Sequence, residues 1–526
     1  MTKFFIYFNT LKYIKFKQIY YRIYYILRNY LQKTFKIRLK LLYPNKKGTI
    51  VLSESIQSIE SYKNKNTFDF LNLTKDFTTK IDWNYIDYGR LWTYNLNYFD
   101  YLLQPVFDKK EGLYLIHDFI ACKYDIRTGY EPYPISLRTI NWIKFCACNN
   151  VQDDMIDASL YAQFKILTKN LEYHLLGNHL LENAFSLLFG AYYFRDKQLY
   201  KKAYKLLKKE LNEQILNDGG HFELSPMYHQ ILLYRLLDGI NLVYNNEWIE
   251  DDLFRFMSHK AGLMLSWLQN ITLPSGNIPH LNDSTNGIVS HSEELFDYAK
   301  RLNIEYQMHP LSDSYYRTFM GNNFKCIMDI GGIMPKYQPG HAHADTFNFI
   351  LEKNGKPVFV DTACSTYEPD AVRNYERGTT AHNTVVFSGM NSSQIWASHR
   401  VGKRANVNII NDFCNQIVAQ HDGYKELGIT HQRSFYQTGD STIKIVDEIL
   451  GNSNLQGVAY FHLDREVSDI RGDSNIISLP MCKLVLDGFE EIALKPYEQA
   501  VGFNQRIESK CICVTFREKL TTTIQL

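Results

Sequence analysis

The hydrophobic period of this chain changes once, near residue 312, and that change decides the architecture it can adopt. Before it, over residues 85–305, apolar residues recur at helical spacing in the stretches 134–148, 156–170, 178–195, 197–216, 226–244 and 251–269. Short breaks such as Asn217-Asp218-Gly219-Gly220 and Pro274-Ser275-Gly276 separate them. Helices of this length in series predict hairpins packed side by side, as a layered bundle or a toroid. After residue 312 the segments 324–330, 346–352, 357–361, 383–387, 442–447 and 511–516 alternate with period 2 or are wholly apolar. Short strands with Gly, Asn and Asp turns predict an antiparallel β-sandwich. The expected fold is therefore multidomain, helices first and then a separate all-β unit. The expected boundaries are 1–65 for a basic helical segment and linker, 66–310 for the helical domain and 311–526 for the sandwich.

At 526 residues, 45% apolar and 22% charged, the composition excludes a disordered tail, a collagen-like fibre and a disulfide miniprotein. The net charge of +2 gives no global field for nucleic acid, but the charge is unevenly spread. Residues 1–50 hold twelve Lys/Arg and no Asp/Glu, so the other 476 residues sum to −10. Residues 10–42 read as a basic aromatic helix, with Ile19, Ile23, Ile26, Leu27 and Tyr30 at helical spacing and Lys17, Arg22 and Arg28 among them. Such a helix either packs on its own domain or lies on an anionic membrane surface. Residues 45–80 are polar and weakly patterned, which predicts a loop or linker. Thirty-eight Tyr and 32 Phe suit sugar surfaces, although a codon bias would produce the same excess.

Nine cysteines form no C-x-x-C pair. The C-x-C pairs Cys146/Cys148 and Cys511/Cys513 are too few for a zinc ribbon, and scattered thiols favour a reducing compartment. No run reaches the ~18–20 apolar residues of a membrane span. Lys12, Lys15 and Lys17 interrupt any signal-peptide core. The expected location is cytoplasmic, with a periplasmic or membrane-peripheral one as the alternative.

Three clusters could carry chemistry. Gly340-His341-Ala342-His343-Ala344-Asp345 is expected to open a strand, where residues i and i+2 share a face, so His341 and His343 would project together. Asp361 ends one predicted strand and His382 begins another; His, Asp and His make a plausible zinc set with room for water. Gly177-Asn178-His179-Leu180-Leu181-Glu182-Asn183 starts a helix. Asn178 as N-cap and Glu182 in the first turn have a purely structural account, which leaves His179 unexplained. Gly219-Gly220-His221-Phe222-Glu223-Leu224-Ser225-Pro226-Met227-Tyr228-His229 places Tyr228 in the first turn of another helix.

Together these clusters resemble the heparinase II/III-like polysaccharide lyases and their alginate-lyase relatives. The resemblance runs through GNHLLENA, DGGHFELSPMYHQ, PGHAHADTFNFIL, VDTACSTYEPDAVRNYERGTTAHNTVV and IWASHRVGKRA, over about residues 85–405. It implies an incomplete (α/α) toroid followed by an antiparallel β-sandwich. It further implies that Asn178 and His179 bind and neutralise a uronate carboxylate. Tyr228 would be the catalytic acid and in some substrates also the base, with His341 the other proton-transfer residue. Tyr375 would position the sugar from the sandwich side. His343, Asp361 and His382 would hold a zinc or similar ion of mainly structural role. Glu182, Arg377 and Trp142 are further candidates for substrate binding. His and Asn stand side by side at the neutraliser position, as in alginate lyases, so the motif does not fix the polymer.

The residue types fit β-elimination. The C5 proton of a uronate leaves only once its carboxylate is neutralised by a hydrogen-bond donor. A tyrosinate or neutral His within reach removes it, and the C4 oxygen then takes a proton. A polysaccharide lyase acting on a uronate polymer, with a role in making or trimming a cell's own surface polysaccharide, is the leading expectation. A uronyl C5-epimerase on the same fold and a non-catalytic carbohydrate-binding protein are the alternatives. The site is expected between the two domains, because neither half carries the full set of groups.

Overall fold

The computed structural model describes residues 2–34, 44, 46–452 and 454–526. The chain starts with two helices, α1 (Thr2–Leu11) and α2 (Phe16–Thr34). The tail of the predicted basic helix, residues 35–42, lies outside the described residues. No helix among the described residues is long and apolar enough to cross a membrane.

The expectation of a linker over 45–80 is corrected by a three-stranded antiparallel sheet: β1 (Tyr62–Asn64), β2 (Thr67–Phe70) and β3 (Leu73–Asp76). Its aromatics hold it down. Tyr62, Phe68, Phe70 and Phe77 are buried against Trp92 and Tyr101. Four buried rings spaced through a polar stretch give a weak periodic signal yet supply enough apolar area to fix the segment. A boundary at residue 65 would cut the β1–β2 hairpin.

The helical unit comprises α3 (Arg90–Tyr98), α4 (Lys109–Ala121), α5 (Pro132–Cys148), α6 (Asp154–Lys169), α7 (Gly177–Phe194), α8 (Lys197–Gln214), α9 (Pro226–Asn245), α10 (Leu253–Ile271) and α11 (Ser292–Arg301). Side-chain caps start several of them: Asp108 on α4, Asp153 on α6, Asp196 on α8 and Ser225 on α9 each accept from a first-turn N–H. Helix α7 is apolar nearly all round and is buried at almost every position, packed against α5, α6, α8 and α9. Together the helices form an incomplete (α/α) toroid.

The β half is an antiparallel sandwich. One sheet has four strands in sequence order: β4 (Tyr316–Gly321), β5 (Phe324–Asp329), β6 (Phe349–Lys353) and β7 (Lys356–Phe359). A short helix, α12 (Ala371–Glu376), precedes β8 (Val385–Phe387) and a small hairpin of β9 (Ile395–Trp396) and β10 (Arg400–Val401). The second sheet adds β11 (Val407–Phe413), β12 (Gln416–His421), β13 (Ile429–Gln437), β14 (Thr442–Gly451), β15 (Gly457–His462), β16 (Arg471–Asp473), β17 (Ile476–Ser478), β18 (Lys483–Gly502) and β19 (Gln505–Gln525). Its order is β11-β12-β13-β14-β19-β18-β17-β16, with β15 joining β19 to β8. Phe349, Leu351 and Phe359 of the first sheet meet Phe435, Phe461 and Phe516 of the second in one core.

The two halves are riveted together by polar contacts. Asp218 accepts from the Ser312 and Ser314 N–H groups, each at 2.9 Å, and from the Ser314 hydroxyl. Trp267 stacks on Tyr316 and donates to Ser314 Oγ at 3.0 Å. Nearby, His229 is locked as a neutral ring. Its Nε2 donates to the Met264 carbonyl at 3.0 Å, and its Nδ1 accepts from the His221 N–H at 3.3 Å. Burial pushes it down to about 3 from its ordinary 6.5. Between those values the unfolded chain binds a proton that the folded one refuses, so stability present above pH 6.5 is lost as pH falls through this window. Thermal unfolding followed from about pH 8 to about pH 4 should show a melting temperature that is flat above neutrality and falls below it. A flat profile throughout would show that the buried histidines held neutral in the fold, His229 among them, do not resist protonation.

Candidate active site

Two strained backbone positions set up the helical side of the site. Leu176 adopts φ 65° and ψ −154°, a conformation nearly reserved for glycine, and turns the chain into α7. Gly177 follows at φ 59°, and a Cβ there would lie 2.9 Å from Glu223 Oε1. Leu176 is thus the N-cap, and Asn178 lies inside the first turn rather than capping it. Its buried amide donates to Glu223 Oε2 at 3.2 Å. His179 places Nδ1 3.0 Å from Glu172 Oε1 and its ring against Tyr133. Burial would lower its affinity for a proton, but the Glu172 carboxylate outweighs this and raises it above the ordinary imidazole value.

Tyr228 stands in the first turn of α9, where Ser225 caps its N–H and fixes the ring's exit. That ring stacks on His341, with centroids 3.9 Å apart and planes at 29°. The Tyr228 hydroxyl lies 3.3 Å from that of Tyr367. Burial holds it well above the ordinary phenol range, so it rests protonated.

The GHAHAD segment is an irregular loop before β6, not the predicted strand. His341 and His343 nevertheless meet on one partner, Asp283 of the loop between α10 and α11. His341 Nδ1 lies 2.8 Å from Asp283 Oδ2, and His343 Nε2 lies 2.8 Å from Oδ1. Arg373 donates to both oxygens of the same carboxylate. Burial opposes ionisation of Asp283, but Arg373 and the two imidazoles hold it well below the usual carboxylate range. His341 then keeps its proton on Nδ1 and offers Nε2, which lies 3.8 Å from Glu223 Oε2.

Asn178, His179, Tyr228 and His341 line one cavity of about 340 Å³ between the halves. Lys336, Arg400, Arg404 and His399 complete its polar wall, and no carboxylate is among its lining residues. A second cavity of about 260 Å³ continues past Tyr228 and shares Leu91, Tyr98, Tyr133 and Tyr367 with the first. The N-terminal sheet contributes Asp69, Phe70 and Leu71 to it, and Asn72 ties that sheet to the β18–β19 tip through the Phe503 carbonyl.

Four sequence candidates sit elsewhere. Tyr375 lies on α12 with its hydroxyl toward Cys511, Tyr460 and Tyr497, outside both cavities; Tyr367, eight residues earlier, occupies the place expected of it. Arg377 is fully buried, with four of its five N–H donors on the carbonyls of Ala342, Ala397 and Arg400, so it braces the loop and is not presented to a sugar. Trp142 is buried among Phe99 and Phe119 in the toroid core. Glu182 is buried and paired with Arg235 at 3.0 Å.

The expected metal set is adjacent but only partly assembled. Asp361 Oδ2 lies 2.7 Å from His382 Nδ1, and the His343 and His382 rings are 5.4 Å apart, while His343 Nε2 is taken by Asp283. His343 Nδ1 and His382 Nε2 are buried without a hydrogen-bond partner. Among the described residues, the three groups that bring one ligand atom each within 4.8 Å of one another are Asp283, His341 and His399.

Sequence reasoning missed Asp283, Glu223, Tyr367, Arg373 and His399 as participants. Glu223, Tyr367, Arg373 and His399 all stand inside the motifs that carried the resemblance. Asp283 lies outside them, in Asn282-Asp283-Ser284, with no spacing signal.

Residues 134–304 match the family described as heparinase II/III N-terminus, and residues 304–525 match heparinase II/III-like, C-terminal. The chain belongs to the heparinase II/III-like family. A heparin-sulfate lyase of Bacteroides stercoris is 24% identical over 340 residues, covering 58% of this chain and 49% of the relative. The chain therefore spans about half the length of that curated relative. The crystal structure of a heparinase III superposes with a TM-score of 0.64 at 15% identity, over 94% of this chain and 89% of the other. That of the heparan sulfate lyase HepC from Pedobacter heparinus gives 0.54 at 15% identity, over 88% and 81%. At such identities these heparinase II/III-like structures establish the shared toroid-plus-sandwich fold.

Asp283→Asn tests the centre of this network. It leaves the Arg373 guanidinium buried without its charge partner, at a cost of about 3–5 kcal/mol. Urea unfolding should show an unfolding free energy lowered by that amount. An unfolding free energy within about 0.5 kcal/mol of the parent would show that the carboxylate is not the hub.

Proposed function

We propose that the protein is a polysaccharide lyase that cleaves a uronate-containing polymer by β-elimination. The observation that carries this reading is the stack of Tyr228 on His341 in an interdomain cavity whose lining is cationic and lacks carboxylates. Asn178 and His179 face the same space and would bind the uronate carboxylate, His179 with a positive charge favoured by Glu172. His341 Nε2 would take the C5 proton. The C5 electrons then form the C4–C5 double bond as the C4–O bond breaks, and the Tyr228 hydroxyl protonates the departing oxygen. Asp283 would hold the His341 tautomer throughout. The lyase activity of the Bacteroides stercoris relative agrees with this reading.

A screen of alginate, heparosan, heparan sulfate, chondroitin and hyaluronan, read by the ultraviolet absorbance of the unsaturated uronate, tests it. One polymer should give the absorbance together with shortened chains. Proton exchange at C5 without chain shortening would point instead to epimerisation. On the active polymer Tyr228→Phe should lower turnover ~10²–10⁴-fold with the fold intact. Tyr375→Phe should leave turnover within about twofold, since Tyr375 lies outside the cavities. Near-full activity of Tyr228→Phe would remove it as the acid.

A zinc or similar ion fits His343, Asp361 and His382 better than Asp283, His341 and His399. Both Asp283 oxygens are already neutralised by Arg373, whose charge would repel a dication. His343 keeps a buried Nδ1 without a partner beside the Asp361–His382 pair, the donor type zinc prefers. Such an ion would brace the sandwich wall behind His341. Purified protein should carry about one equivalent of metal, and chelation should lower the melting temperature. Unchanged melting after complete metal removal would exclude a structural ion.

A further inference from the structure

The first two helices leave a large apolar surface open. Helix α2 docks by one side only. Gln18 donates to the Leu175 carbonyl at 3.1 Å, Tyr21 packs on Tyr173 at 4.6 Å, and the Tyr25 hydroxyl donates to the Leu171 carbonyl at 2.5 Å. The opposite side carries Phe16, Tyr20, Ile23 and Leu27, spaced four, three and four residues apart, so they form one stripe. Phe16 is 80% exposed, Ile23 54% and Leu27 59%. Ile19 and Ile26 flank the stripe and are exposed too, as are Tyr7, Phe8 and Leu11 on α1. Ile19, Ile23, Ile26 and Leu27, among the residues that predicted this helix, are therefore exposed rather than packed on the described part of their own domain. A monomeric soluble protein rarely leaves a contiguous patch of this kind open.

We infer that this surface docks on an anionic lipid membrane. Charge selects that occupant. Residues 1–50 hold twelve Lys/Arg and no Asp/Glu, whereas the rest of the chain is net negative, so the positive excess that an acidic surface attracts is concentrated at this end. Lys12 and Arg22 are exposed beside the apolar residues. An interfacial helix has this composition: a strongly amphipathic stripe of Ile, Leu and aromatic residues, flanking cations and no span-length apolar run. A protein partner would require no such one-signed flank.

The helices are also firmly joined to the enzyme body. Trp396 of β9 donates to Thr10 Oγ1 at 3.1 Å, Arg404 lies over the Tyr13 ring at 3.9 Å, and Lys15 lies over Tyr337 at 3.7 Å. Thr10, Tyr13 and Ile14 line the cationic cavity. The lipid-facing stripe begins two residues later, so docking holds the mouth of that cavity beside the bilayer. This placement rests on no assumption about the reaction.

The test uses the full chain, without substrate, so its outcome is separate from that of the lyase screen. Protein is sedimented with phosphatidylcholine vesicles and with phosphatidylcholine–phosphatidylglycerol vesicles. The anionic vesicles should retain roughly tenfold more protein, and high salt should reverse most of the difference. Ile23→Glu with Leu27→Glu should lower that binding about tenfold while the melting temperature stays unchanged. The milder Ile26→Gln should give a smaller loss of the same sign, which covers the case of a poorly folding double variant. Equal partition onto both vesicle types, or binding indifferent to these substitutions, overturns the inference. So does a dimer of the parent protein that the double substitution dissolves, which would assign the stripe to a second copy of the chain.

Discussion

The carboxylate of Asp283 is the constraint on which the rest of the site depends. It is fully buried, and a buried carboxylate survives only where its charge is met on every side. Arg373 meets it from α12, and His341 and His343 meet it from the loop before β6. Its own backbone N–H donates to the His341 carbonyl at 3.1 Å, and its carbonyl receives the hydroxyl of Ser225, the cap of α9. One residue of the helical half thereby fixes the ring of His341, the start of the helix that bears Tyr228 and the register between the halves. A looser link would let the two stacked rings part, since they come from different domains. Buried ion pairs add little net stability, so the specificity of this arrangement is the stronger reason for its presence.

Much of the fold was legible because it follows from burial periodicity. The six helical stretches read from the sequence correspond to α5 through α10, and the six strand segments fall on β5, β6, β7, β8, β14 and β19. Periodicity failed where burial is carried by isolated rings, as in the sheet around Phe68 and Phe70. It also names no partner: the period of α2 is present, but it does not tell that Ile23 and Leu27 face outward. The site was legible where a motif supplied type and position together, at Asn178, His179, Tyr228 and His341. It was not legible where only the tertiary path decides. Tyr367 and Tyr375 lie in one motif, and nothing local distinguishes the one that reaches the cavity. Arg377 looks like a sugar ligand until its donors are counted against the carbonyls of the loop it braces. Asp283 has no local signature, because its role comes from four side chains that are distant in sequence.

The division of the interdomain space at Tyr228 bears on how a polymer would lie there. On one side the lining is Lys336, Arg400, Arg404 and three imidazoles, and on the other it is mixed, with Asp69 and Asp100 beside Arg235. Arg235 is already neutralised by Glu182 and Asp238, so the second side offers no free positive charge of that residue to an anionic sugar. On the lyase reading, the uronate that loses its proton must present its carboxylate to Asn178 and His179, on the cationic side. The bond that breaks would then lie at Tyr228, and the sugar beyond it would rest among Phe70, Leu71 and Tyr98, where a neutral ring face would be accommodated better than a sulfate. On that reading, the charge pattern of the cleft would suit a polymer whose negative charge sits on its uronates better than one that is densely sulfated at every residue.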